Sequence, residues 1–149
     1  MSLRRLLTTL LLLSWLAAAA APLSAQEPEA PAPAALVQRA ERTLESVRAS
    51  LQDADAPETL RTLVDQARTA RQDADAAAAA LQPQVDQLNE QLAQLGEVAE
   101  GTTEGTAVAA QRRALTRQRD EIDGTIKRAG VLAVQATQLA DDVEKQRTS

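Results

Sequence analysis

The chain has 149 residues, a net charge of −5 and 1% aromatic residues, with no His, Cys, Phe or Tyr and a single Trp, Trp15. Those absences exclude histidine and cysteine catalysis, zinc sites of the usual ligand types and any disulfide. The acidic balance argues against nucleic acid or anionic lipid as a direct partner.

Arg4 and Arg5, an apolar run from Leu6 to Ala21, and Pro22-Leu-Ser-Ala25 describe a secretory signal peptide over 1–25, with cleavage after Ala25. An uncleaved membrane anchor is the rival reading, because the run approaches the roughly 20 residues a spanning helix needs. Pro22 and the small residues that follow it favour cleavage. No Cys follows the run, so lipidation through a cysteine is excluded. Loss of the leader removes two arginines and leaves 14 basic against 21 acidic residues, a net charge of −7. The exported product is expected in the periplasm as a soluble chain or in association with a membrane.

Residues 26–35 begin QEPEAPAP and read as an extended Pro/Ala-rich linker. The domain proper is expected over 36–149 and is all-α. A first helix is predicted from Leu36 to Asp53, with Leu36, Val37, Ala40, Leu44, Val47 and Leu51 on one face. Asp55, Pro57 and Glu58 form a start signal, Asp55 as cap and Glu58 as capping-box partner. The second helix then runs to Leu95, where Gly96 stops it. Leu60, Ala67, Ala74, Leu81, Leu88 and Leu95 repeat at seven residues, flanked by Val64, Ala78, Val85 and Leu92. Pro83 removes one helical hydrogen bond and is expected to kink this helix without breaking it.

Gly96 to Thr106 holds three of the five glycines and is the one clear loop. A third helix is predicted from Ala107 to Gln146, with Val108, Leu115, Ile122, Ala129, Ala136 and Val143 spaced by seven. Gly124 and Gly130 each cost it roughly 1 kcal/mol against alanine. They read as tolerated surface glycines or, more sharply, as points of close helix approach or flexing. Folding the long helices back at the glycine loop sets Leu95 by Val108, Leu88 by Leu115 and Leu81 by Ile122. Further down, Ala74 meets Ala129, Ala67 meets Ala136 and Leu60 meets Val143. Alanine on alanine makes a thin seam, so the first helix is expected to lay Leu36, Val37 and Leu44 over it. The expected architecture is a long antiparallel coiled-coil hairpin with a three-helix bundle at its base, and it fails if Leu44 is exposed.

Carboxylates are the remaining candidate acids and bases. QDADA occurs at Gln52–Ala56 and at Gln72–Ala76, but its 20-residue offset does not follow the heptad. Asp73 and Asp75 project in different directions on a helix and cannot chelate one ion well. These pairs, and Asp141 with Asp142, read as solvated surface. Arg112, Arg113, Arg117 and Arg119 form a basic cluster near Glu90, Glu97, Glu100 and Glu104. Pairing across the helices explains it; an anionic cell-wall polymer is the other candidate ligand. No glycine-rich phosphate loop, strand or aromatic-basic stripe is found. The expectation is no catalytic, cofactor-binding or metal-binding residue, no small-molecule substrate and no enzyme activity.

Two stretches carry a resemblance. One is Leu81-Gln-Pro83-Gln-Val85-Asp-Gln-Leu88-Asn-Glu-Gln-Leu92-Ala-Gln-Leu95-Gly96. The other runs from Val108-Ala-Ala-Gln-Arg-Arg-Ala-Leu115, through Ile122-Asp-Gly-Thr-Ile126-Lys-Arg-Ala-Gly130, to Leu132-Ala-Val-Gln-Ala136-Thr-Gln-Leu139-Ala-Asp-Asp-Val143. Together they resemble the helical domain of unknown function at the periplasmic N-terminus of certain bacterial MscS-like mechanosensitive ion channels. The resemblance spans roughly Leu36 to Arg147. It implies a periplasmic extension of a tension-gated channel that serves in osmotic stress. The transmembrane segments and pore that follow in that family are not found through Ser149, so no pore residue carries over. The expected partners are a membrane channel or further copies of the chain, through helical packing. The alternative function is a soluble periplasmic coiled-coil chaperone or envelope adaptor. A carboxylate hydrolase ranks third, because a long thin architecture offers no concave site.

Overall fold

The computed structural model describes residues 31–98, 101 and 103–149. The leader over 1–25 and the start of the linker lie outside the described residues. Three helices account for nearly all of the rest: α1 (Pro33–Leu51), α2 (Pro57–Gln94) and α3 (Thr106–Thr148). The all-α expectation therefore holds over the described residues, which contain no strand.

Helix α1 starts at Pro33, inside the stretch expected to be linker. The fixed φ of proline suits a first helical turn, and Ala34 and Ala35 propagate it well. At the start of α2 the capping expectation is corrected. Ala56 occupies the cap position with no side-chain cap hydrogen bond, and Glu58 accepts from Arg61 instead. The acidic Glu58 still sits in the first turn, where a negative charge suits the helix dipole. At the other end Gly96 takes φ +72° directly after the Leu95 cap. A side chain there would be strained, which is why glycine ends this helix. Helix α2 runs through Pro83 unbroken.

The contacts set the directions of the helices. Arg112 of α3 donates to the Gly96 carbonyl at one end, while Arg68 of α2 meets Glu144 of α3 towards the other. Helices α2 and α3 are thus antiparallel. Helix α1 packs on both. Its Arg39 reaches Asp73 of α2, and its Glu41 and Arg48 reach Arg128 and Gln135 of α3. It therefore covers only the half of the pair remote from the loop.

Packing follows from that arrangement. Alanines 67, 70, 74 and 77 of α2 and 129 and 136 of α3 are completely buried. Over them α1 lays Leu36, Val37, Ala40, Leu44 and Val47, all buried, and Leu44 is only 1% exposed. Small side chains let the helix axes approach, and the larger ones of α1 supply the apolar area the seam lacks. Towards the loop the seam changes. Leu81, Val85 and Leu88 of α2 are buried, but Leu92, Leu95, Leu115, Ile122 and Ile126 are only half-buried. No side chain of α3 before Ala129 is buried. Two helices cover one side of each other and leave their flanks wet; a third is needed to close the core.

Gly124 and Gly130 lie on this helix facing open space, with nothing within 4 Å of where a Cβ would stand. The reading of close helix approach is thus corrected within the chain, and the tolerated surface position is what the structure supports.

Candidate functional site

The chain concentrates polar chemistry in three places, and each is held by a different local logic. The first is Asp73, the only buried charged residue among those described, 8% exposed. It was expected on the surface and is corrected here. Asp73 sits one residue from Ala74 and three from Ala70, so its helical position is at the margin of the buried face. Arg39 of α1 reaches across, Nη2 donating to Oδ1 at 2.6 Å and Nε donating to Oδ2. This forked geometry satisfies both carboxylate oxygens. The hydrogen bond first, and the Asp73 charge second, raise the Arg39 pKa above its ordinary value. The pair locates α1 along α2; Arg39 borders the open groove described next, but both carboxylate oxygens of Asp73 are taken up by Arg39. Its QDADA partner, Asp75, is exposed and meets Arg71 at 3.5 Å within the same helix.

The second place is an open groove of roughly 550 Å³ between α1 and α2, lined by Arg39, Arg42, Ser46, Thr62, Asp65 and Gln66 among others. Its Thr62 and neighbouring Thr69 hydroxyls donate to carbonyls of their own helix, those of Glu58 and Asp65. Arg39 is committed to Asp73. Nothing buried and polar is aimed into the groove, so no ligand is specified by it.

The third place is the loop end. Arg112 donates to Glu104 Oε1 from Nε at 3.1 Å and from Nη2 at 2.8 Å, while Nη2 also donates to the Gly96 carbonyl at 2.9 Å. One guanidinium thus caps the end of α2 and fastens the far side of the loop. The other members of the expected basic cluster behave differently. Arg119 pairs with its neighbour Asp120, and Arg113 donates to the Ala109 carbonyl within α3. Arg117, Glu90 and Glu97 have no ion-pair partner among the described residues. Glu100 lies outside the described residues. The expected charge pairing across the helices is thus corrected: Arg112 pairs with Glu104 of the loop and reaches the α2 end only through the Gly96 carbonyl.

Around this end lie the half-buried Leu92, Leu95, Leu115 and Ile122, with Val98 and Val108 exposed by 49% and 37%. Lower on α3, Val131 and Val134 are exposed by 56% and 57%. Neither valine belongs to the seven-residue line through Ala129 and Ala136, so reading that line alone missed them. A second 3–4 spacing, through Gly124, Lys127, Val131 and Val134, was the available signal.

Among the described residues no three His, Cys, Asp or Glu side chains group as a metal site. No described helix is long and apolar enough to cross a membrane. What the arrangement offers is helix surface: an apolar strip near the loop and charged outer faces. The chain matches no protein-family profile, no curated protein and no solved structure.

Proposed function

We propose that the chain is a non-enzymatic envelope module, exported to the periplasm by the 1–25 leader, that works by helix packing with a membrane partner or with itself. In this reading it is an antiparallel coiled-coil hairpin braced at its base as a three-helix bundle, akin to the N-terminal periplasmic region of MscS-like channels. Its role is in the response to osmotic stress, and the pore belongs to other residues. The observation that carries the reading is the incomplete burial of the α2–α3 pair beyond the cover of α1. Leu92, Leu95, Leu115, Ile122 and Ile126 are left half-open on a pair of long helices, a form suited to receiving further helices.

Fractionation of native cells with an antibody against α2 and α3 tests it. The module reading expects the chain with membranes through a partner, and expects its loss to sensitise cells to hypo-osmotic shock. A soluble band of roughly 13 kDa, the size after leader removal, would mean a stand-alone module; a chain that also stays monomeric and whose loss gives no osmotic phenotype would reject the reading. The same open strip, which ends in the exposed Val98 and Val108, favours one second reading, a chaperone that clamps unfolded clients. Suppression of client aggregation by the purified chain separates the two.

A further inference from the structure

The outward faces of α2 and α3, those turned away from the seam, differ in charge and in shape. Along α2 the exposed outer line is Glu90, Asp86, Pro83, Ala79 and Ala76. Towards the loop it is acidic, and lower down it is flat and alanine-lined. Along α3 the exposed outer line is Arg113, Arg117, Asp120, Gly124, Lys127, Val131 and Val134. Towards the loop it is basic, and lower down it carries two valines that protrude.

The levels of these features are set by the antiparallel register. Arg112 touches Gly96, and Arg68 touches Glu144. Interpolation between those contacts places Arg113 level with Leu95, Val131 level with Ala79 and Val134 within a residue of Ala76. Arg117 falls between Glu90 and Gln94; Lys127 falls beside Pro83, one turn from Asp86, and is already held by Asp123 at 2.6 Å. Arg113 and Arg117 thus stand in the same loop-side half as Glu90 and Asp86, and the protruding valines stand level with the flat alanines. The one mismatch is Asp120, level with Glu90, and Asp120 is already held by Arg119 at 2.7 Å.

We propose that these two outer lines are the two halves of one interface, and that copies of the chain associate side by side, the α3 edge of one against the α2 edge of the next. The proposal deepens the helix-packing reading above and rests on it; the occupant it names is a second copy. Both copies must stand the same way up. Inverting one sets its valines against Glu90 and its arginines against alanine, which loses both matches. An interface that uses different surfaces on the two partners leaves a free edge at each end, so it propagates until rotation closes a ring. From Arg113 to Val134 the strip is roughly 32 Å long at 1.5 Å per residue. A single helix pair of that length lies at the low end of stable interfaces. Each contact is therefore weak alone, and association rises with concentration and falls with salt.

Sedimentation velocity on the protein purified from its cells, across about 5 to 500 µM, tests the assignment. The expected result is a mass above one chain that grows with concentration. Two double variants carry the decisive comparison, Arg113→Glu with Arg117→Glu, and Asp86→Arg with Glu90→Arg. Each alone turns attraction into repulsion and should weaken association by at least about tenfold. Mixed together, they restore one matched pair of edges at every contact and should associate again. Val134→Asp, which alters shape and not the arginine–carboxylate match, should also weaken association. Circular dichroism confirms that each variant keeps its helicity. A wild-type chain that stays monomeric throughout overturns the proposal, as do reversed variants that associate like wild type or a mixture that does not recover. A monomer that still fractionates with membranes would remove the edge assignment and leave the envelope-module reading standing.

Discussion

Leu44→Ala is the most informative single substitution for the architecture. Leu44 is 1% exposed, packed by α1 against the alanine seam. The change removes three carbons, worth about 2.4 kcal/mol at roughly 0.8 kcal/mol each. A residual cavity adds up to about 1.5 kcal/mol where neighbours cannot close in. Helix α1 is tethered at one end by the short turn before Pro57 and can shift inward, so part of that term is recovered. The expected loss is about 3 kcal/mol. For a domain of this size that corresponds to a fall in the thermal midpoint of roughly 10 °C. Helicity at 222 nm against temperature and against urea measures it, with Leu115→Ala as the internal contrast. Leu115 is only half-buried on the wet flank of the pair, and its truncation should cost no more than about 1.5 kcal/mol. A loss below about 1 kcal/mol for Leu44→Ala, or one equal to that for Leu115→Ala, would refute the argument that α1 completes the core.

The seam itself should resist enlargement. Ala74→Leu, at a position with 0% exposure, is expected to cost about 1–3 kcal/mol by overpacking, read by the same melts; a neutral result would mean the helices are not in close contact there. At the Arg39–Asp73 pair the two truncations should differ. Arg39→Ala strands a buried carboxylate, whereas Asp73→Ala leaves Arg39 half in water. Urea titration should therefore show Arg39→Ala as the more damaging change, with the double variant recovering much of the loss. Stability should also be flat from pH 6 to 9, since the chain has no His, Cys or Tyr. Lys127 does not alter this. Its pKa is raised by the hydrogen bond to Asp123 and then by that charge, so its contribution is complete below the ordinary lysine value and is lost only at higher pH. A midpoint that moves by more than a few degrees in that window would contradict this.

Much of the local structure was legible from residue order. Heptad spacing, Pro57 and Gly96 mark the helices because apolar periodicity and backbone stereochemistry act over a few residues. The identity of the buried alanines and the coverage by Leu36, Val37 and Leu44 followed from the need to bury a thin seam. Cap details did not follow: Ala56, a poor capping residue, takes the cap position with no side-chain hydrogen bond, one residue past Asp55. At the candidate surface, the composition excluded histidine and cysteine chemistry outright, whatever the fold. Which charges are free was decided by distance. Arg112 reaches Glu104 and Gly96, while Arg117 beside it has no ion-pair partner among the described residues. Asp73 shows the limit most clearly. Its own helix places it at the margin of the buried face, and only the arrival of Arg39 from a helix 34 residues earlier turns it into a buried ion pair. Periodicity reports what one helix can bury; which flank a neighbour covers, and where that cover stops, depends on contacts between distant segments that only the tertiary structure contains.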